Sequence, residues 1–267
     1  MRTTPPTPAA DRRQRVQSAE TGMVILKSLA RLGGAASLTA IAQDVEESAS
    51  KVHRYLSSLS QEGLVAQNPA TQQYHLGPEC IRIGLAALRQ CDPVRMGEGA
   101  LLRLRESLQV TSFIAVLGNL GPTVLRIEEP SLPVTVNMRA GSVLPVLWSA
   151  TGQVFLAFRD DADMQAKAES EYATGTPEQR SHLDARDPIA PLRRAIRQRG
   201  CAIVNDTMLP GISAVAAPIF DARGQVCAVI AALGASNGFD ARPDGRICPL
   251  VMREAAEISA AMGFEAR

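Results

Sequence analysis

The sequence predicts an α+β chain in two parts: a small helical N-terminal domain closed by a hairpin, then a larger domain whose helices flank a mostly antiparallel sheet. Three observations carry this. Residues 16–77 run helix, helix, turn, helix, hairpin. Residues 92–267 alternate apolar strand-like runs with amphipathic helices. Charge divides at the same place, with ten Lys+Arg against seven Asp+Glu in residues 1–90 and 18 against 20 in the remainder, so a mildly basic part precedes a mildly acidic one.

The chain has 267 residues, enough for one large domain or two ordinary ones, and 46% of them are hydrophobic, so a core can form. Aromatics are only 4%, which makes that core aliphatic. A net charge of +1 excludes a strongly basic, chromatin-type protein. The five cysteines, Cys80, Cys91, Cys201, Cys227 and Cys248, are odd in number and contain no C-x-x-C, which argues against a disulfide framework and a zinc site. The three histidines, His53, His75 and His182, form no ligand pair. Neither a metal nor a cofactor is expected. Without a signal peptide or a run approaching 20 apolar residues, the expected place is the cytoplasm, with no membrane partner.

Residues 1–15, rich in Pro, Thr and Arg, read as a disordered tail. A helix follows from an N-cap at about Ser18 through Met23, Leu26 and Leu29, ending at Gly33-Gly34. A second, "LTAIAQDV", starts near Thr39, and after Glu46-Glu47 a third begins behind Ser48 and stops at Gly63. "LVAQNPATQQYHLG" gives two short strands around an Asn68-Pro69 turn. This order is that of a winged helix-turn-helix.

On the third helix, 100° per residue gathers Val52, Tyr55, Leu56 and Leu59 on one side and Ser50, Arg54, Ser57 and Gln61 on the other, with Lys51 and His53 flanking. A polar side of this kind is ordinarily only solvated. Within this order of elements it suits a helix entering the major groove of double-stranded DNA, with serines on phosphates and the cations on phosphates or guanine edges. The expected DNA contacts are Ser48, Ser50, Lys51, His53 and Arg54, with Gln72 and Gln73 on the wing. His53 is as well explained as a flanking or packing residue.

"PECIRIGLAALRQC", residues 78–91, reads as a linker helix. Beyond Asp92-Pro93 come a helix, three strand-like runs ("TSFIAVLG", "PTVLRIEE", "PVTVNMRA"), a helix from about Ser149 to Phe158, polar helical stretches to about Gly200, three more strands, and a last helix over about 242–262. "GISAV" at residues 211–215 approaches a nucleophile elbow, but Val215 stands at its second glycine and no histidine partner is evident, so a small-molecule enzyme ranks low. Asp160, Asp161 and Asp163 suit a solvated helix start better than a metal site. "GSVLPVLWSATGQVFLAF" and "GISAVAAPIFDARGQVCAVIAALG" mix small residues, turns and apolar strands, as pocket walls do and as plain core also does.

Together "VQSAETGMVILKSLA", "SLTAIAQDVEESASKVHRYLSSLSQEGLVAQ", "YHLGPECIRIG", "LPVLWSATGQVFLAF" and "GISAVAAPIFDARGQVCAVIAALG", in this order over nearly the whole chain, resemble the IclR family of bacterial transcription regulators. The resemblance implies a winged helix-turn-helix domain, a linker helix, a GAF-like effector-binding domain, and a homodimer or homotetramer on a double-stranded operator. It implies an effector pocket at Trp148, Ala150, Thr151, Asn205, Ala214, Ala231 and Leu233, where Trp148 is as well explained as core. The chain departs from the family at several positions: Thr21 stands for a usual Arg, Glu46 for the turn glycine, Glu47 for an apolar residue and Lys51 for a threonine. Ala231 and Leu233 stand where small polar residues are frequent, which favours a larger, partly aromatic or aliphatic effector with one polar end. A regulator whose second domain only oligomerises is the alternative.

Overall fold

The computed structural model describes residues 16–130 and 138–265. The expected tail, residues 1–15, lies outside them, as does most of the strand expected at 133–140. The chain divides into two compact units, one through Gln90 and one from Cys91.

In the first unit α1 (Gln17–Arg31) buries Gly22, Ile25, Ser28 and Leu29, the i, i+3, i+4 stripe of an amphipathic helix. It starts a residue before the expected cap: Val16 holds the cap position without a side-chain bond, and Ser18 lies in the first turn. A two-residue strand β1 (Ala35–Ala36), too short to leave a sequence pattern, precedes α2 (Leu38–Asp44). Ser37 caps α2 by accepting from the Ala40 amide at 3.2 Å, so this helix too begins slightly earlier than expected. α3 (Ala49–Gln61) is capped as expected by Ser48, which accepts from the Lys51 amide at 3.3 Å, and buries Val52, Leu56 and Leu59. Strands β2 (Val65–Gln67) and β3 (Tyr74–Leu76) form the hairpin, and β3 lies between β1 and β2 in an antiparallel sheet. Ile25, Leu29, Ile41, Val52 and Leu56 are fully buried and form the centre of this core. Helix α4 (Pro78–Leu88) starts on a proline and buries nothing; Ile81, Ile83, Leu85 and Leu88 are 48–65% exposed.

In the second unit Asp92 caps α5 (Pro93–Leu108), which leads into strands β4 (Thr111–Gly118) and β5 (Gly121–Glu128). Then come α6 (Ala150–Phe158), α7 (Ala162–Thr174), α8 (Pro177–Ser181), α9 (Ala190–Arg199), β6 (Ala202–Asn205), β7 (Ile212–Phe220), β8 (Val226–Ala235) and α10 (Ile247–Ala261). The last helix begins five residues later than expected, because Asp240 and Arg242 pair with each other in a turn ahead of Gly245. Asp161 accepts from the amides of Asp163 and Met164, so the acidic run is the N-cap of α7.

The sheet runs β5-β4-β8-β7-β6 with every pairing antiparallel. Alternation along its strands sends Ile114, Val215, Ala217, Ile219 and Ile230 to a layer shared with Leu101 and Leu104 of α5 and Val251 of α10. Phe113, Ala115, Ala216, Val229 and Ala231 point to the opposite layer with Val154, Phe155 and Leu156 of α6 and Ile196 of α9. Ser213 of the "GISAV" stretch sits within β7, 2% exposed and hydrogen-bonded to Ser236, and so is not on a strand-to-helix elbow.

Glu46, between α2 and α3, has φ 54°, the left-handed region that glycine adopts freely and other L-residues at a cost. Glu46→Gly should therefore raise the stability of the first unit by roughly 0.5–1 kcal/mol, since the strain relieved exceeds the entropy that glycine adds to the unfolded chain. Denaturant titration followed by helical circular dichroism measures it; a lowered midpoint would show that the left-handed turn carries no strain.

Candidate nucleic-acid interface and ligand cavity

The geometry of α3 separates the expected contact residues. Ser50 and Arg54 are exposed on the side opposite Val52, Leu56 and Leu59, and His53 is exposed on its flank. Among the described residues the Arg54 guanidinium makes no ion pair, whereas the half-buried Lys51 ammonium lies 2.5 Å from Oε1 of Glu47, one helical turn back. The acid that would repel phosphates is thus compensated, and Lys51 is engaged. Ser48 is exposed, but its hydroxyl serves the cap.

On the wing, Asn68 Oδ1 accepts from the amides of Ala70 and Thr71, closing the turn. Gln72 takes φ 58° and turns its side chain inward, donating to the Pro69 carbonyl at 2.8 Å, while Gln67 donates to the Gln72 carbonyl at 3.1 Å. Gln73 is exposed. At position 21 the threonine hydroxyl bonds back to the Gln17 carbonyl.

In the second unit a cavity of about 240 Å³ opens between the start of α6 and the β7–β8 face. Ala150, Thr151, Ala214 and Leu233 line it, as expected for a pocket, and Ala214 and Leu233 are register partners. The structure places the other three expected residues elsewhere. Trp148 and Asn205 line a neighbouring cavity of about 180 Å³ together with Gln153 and His182. Ala231 is fully buried in the core, two residues before Leu233, paired with Phe113 and Ala216. Sequence reasoning missed Phe113, Leu144, Val204, Met208, Leu209 and Ile212 in the wall. Strand alternation puts Ile212 on the face of Ala214 and could have found it; nothing local marks the loop residues Met208 and Leu209.

The polar end of the cavity is the N-terminus of α6. Ser149 accepts from the Gly152 amide at 2.9 Å and donates to the Pro145 carbonyl at 2.6 Å, so its capacity is used. The Gln153 amide bonds to the Ser149 carbonyl, and the amides of Ala150 and Thr151 in the first turn have no backbone acceptor among the described residues. The Thr151 hydroxyl has no hydrogen-bond partner among the described residues, although the residue is 1% exposed. Glu171 holds the preceding loop by accepting from the amides of Val146 and Leu147 at 2.9 and 2.8 Å. A Cβ at Gly152 would sit 2.2 Å from the Pro145 carbonyl oxygen, so only glycine allows this close entry into the helix.

The loop carrying Met208 and Leu209 is fixed at both ends. Asp206, at φ 54°, accepts from the Gly211 amide at 2.6 Å and from the Ser236 hydroxyl at 2.8 Å, and Gln179 donates to the Thr207 carbonyl at 3.0 Å. Among the described residues no three His, Cys, Asp or Glu gather as a metal site would, and no helix is long and apolar enough to cross a membrane.

Comparison with known proteins agrees with both units. Residues 18–69 match the IclR helix-turn-helix domain, and residues 94–260 match the bacterial transcriptional regulator IclR C-terminal domain. The chain is 30% identical to the HTH-type transcriptional regulator BhcR of Paracoccus denitrificans over 201 residues, 74% of this chain and 70% of that one. It is 26% identical to the Acetate operon repressor of Salmonella typhimurium over 257 residues, 93% of this chain and 90% of that one. The crystal structure of Pseudomonas aeruginosa HmgR superposes with a TM-score of 0.84 at 40% identity, covering 94% of this chain and all of that one. A DNA-binding helix-turn-helix module and the IclR C-terminal domain therefore follow each other along one chain, over nearly its whole length, and the protein belongs to the IclR family of bacterial transcriptional regulators, DNA-binding proteins that respond to a ligand.

Proposed function

We propose that this regulator controls a catabolic operon from the cytoplasm, binding rather than transforming a small molecule with an aromatic or aliphatic body and one polar end. The cavity beside α6 carries this reading. Its walls are almost wholly apolar, formed by Phe113, Leu144, Ile212, Ala214 and Leu233, and its donors converge at one end, where Thr151 and the first amides of α6 lie. A two- or three-carbon acid would meet those donors but leave most of the apolar wall untouched. That a similar protein is named the Acetate operon repressor supports the control of an operon.

Calorimetric titration against a panel of small and aromatic acids should find the aromatic ones bound more tightly. Thr151→Val should weaken the preferred ligand about tenfold, the cost of one hydrogen bond in a buried site. Exclusive binding of glyoxylate or pyruvate, or indifference of the preferred ligand to both Thr151→Val and Leu233→Ser, would overturn this placement.

On DNA, the exposed Arg54, which makes no ion pair among the described residues, is the principal cationic contact, and Lys51 contributes less because it must first leave Glu47. With operator fragments obtained by selection, Arg54→Ala should lower affinity at least tenfold and Lys51→Ala distinctly less. Binding should fall steeply with salt as phosphate counterions are released. Unchanged binding by a folded Lys51→Ala plus Arg54→Ala variant would remove α3 from the interface.

A single recognition helix reads only a few base pairs, so two copies at half-sites about one helical turn apart are needed. The apolar residues of α4, with Met23 and Val24 of α1 also about half exposed, are the surface that a second copy covers. Sedimentation at micromolar concentration should show a dimer or tetramer, and Ile81→Glu with Leu85→Glu should dissociate it. A wild-type monomer would contradict this.

A further inference from the structure

Away from DNA face and cavity, two thiols meet in the core beneath α10. Cys201, just before β6, and Cys248, in the first turn of α10, are both fully buried, and their sulfurs are 3.1 Å apart. A shared tetrahedral metal with bonds near 2.3 Å would hold two sulfurs roughly 3.8 Å apart. The observed separation is shorter than that and about 1 Å from a disulfide bond of roughly 2.05 Å. Met252 lies one turn along α10, its Sδ 3.9 Å from Cys248 Sγ, and it also lines a surface groove with Gly200, Phe220 and Phe264. The half-buried Met252 side chain, unbranched and flexible, thus touches both Cys248 and the groove.

We propose that Cys201 and Cys248 are an oxidation site, a dithiol that a small peroxide admitted beside Met252 converts into an intramolecular disulfide. Cys248 reacts first: its sulfur attacks the peroxide, the O–O bond breaks, a sulfenic acid forms, and the departing oxygen leaves with a proton as water or alcohol. Cys201 sulfur then attacks the sulfenic sulfur; the S–S bond forms, the S–O bond breaks and a second water leaves. Two thiols lose two electrons and two protons, and the peroxide is reduced. The order follows from the pair itself. Contact with the Cys201 sulfur holds Cys248 below the ordinary thiol range against the opposing effect of burial, with the Arg199 charge adding to the lowering, while Cys201 is pushed up by the same contact and by burial. Cys80 instead donates to the Leu64 carbonyl, and burial, with the Asp221 charge and the nearby Cys91 adding to it, pushes the Cys227 thiol up to about 11.

The full-length protein, treated with hydrogen peroxide at a few equivalents and then alkylated after unfolding, tests this by peptide mapping under non-reducing conditions. The expected product is a linked pair of peptides holding Cys201 and Cys248, reversed by dithiothreitol. It should persist when Cys80, Cys91 and Cys227 are replaced by serine and vanish in Cys248→Ala. Because the cross-link spans 47 residues, it should raise the thermal midpoint by roughly 5–10 °C. Oxidation confined to the other cysteines, a sulfinic acid on Cys248 without a cross-link, or a cross-link that lowers the midpoint would each overturn the proposal.

Discussion

The larger domain depends on the position of β8. This strand is hydrogen-bonded along both edges, to β4 and β7, and covered on both faces by helices, so neither side of it can carry an unpaired polar group. Its run Ala228, Val229, Ile230, Ala231, Ala232 and Leu233 meets that demand with residues at most 5% exposed. The alanines let the covering helices lie close to the sheet, and the larger residues supply the apolar area, at about 25 cal/mol per Å² removed from water. Thr111 and Ser112 of the adjoining strand are buried too, and Ser112 satisfies its hydroxyl by donating to the Leu101 carbonyl of α5. That buried hydroxyl thus ties the sheet to α5.

α5 and α10 are joined in the same manner by charge. The Glu254 carboxylate is 1% exposed and receives both Nε and Nη2 of Arg103, with Arg253 on its other side. A buried carboxylate with only one partner would be costly; two guanidiniums, each half exposed to water, make it tolerable while fixing the register of the two helices. In the small domain the corresponding link is Arg31 to Asp44, from α1 to α2, at 2.7 Å but largely in solvent, so it orients more than it stabilises.

The legible parts of this structure were those governed by local rules. Ser48 and Gly63 bracket α3 because a hydroxyl cap and a left-handed glycine are short-range devices, and Val52, Leu56 and Leu59 show its buried side through spacing alone. The left-handed turn at Glu46 was foreseeable only through the resemblance, which puts a glycine at that position. Ser18 misled as a cap because the helix begins one residue earlier, at Gln17, and β1 left no trace because two residues have no period. In the candidate site, Ala150 and Thr151 were accessible through the helix start that Ser149 marks. Ala231, named through the resemblance, lies in the core two residues before Leu233, since a resemblance does not say where along a strand the core ends and a cavity begins. Met208 and Leu209 reach the wall through a loop held by Asp206, Ser236 and Gln179, and the Cys201–Cys248 contact joins residues 47 apart. Such meetings are created by tertiary packing and have no local signature.

The cavity beside α6 owes its volume to smallness: Ala150 and Ala214 stand where a leucine would fill it. Both layers of the core are completed by other side chains, so the space is not structurally required to have one shape. A change of a few atoms at position 214, which faces Leu233 across the strand pair, would resize the chamber while leaving the sheet, the caps and α3 as they are. On the proposed reading of this cavity as the ligand site, what the protein detects can change by single codons at Ala214, apart from the residues of α3 proposed to meet DNA.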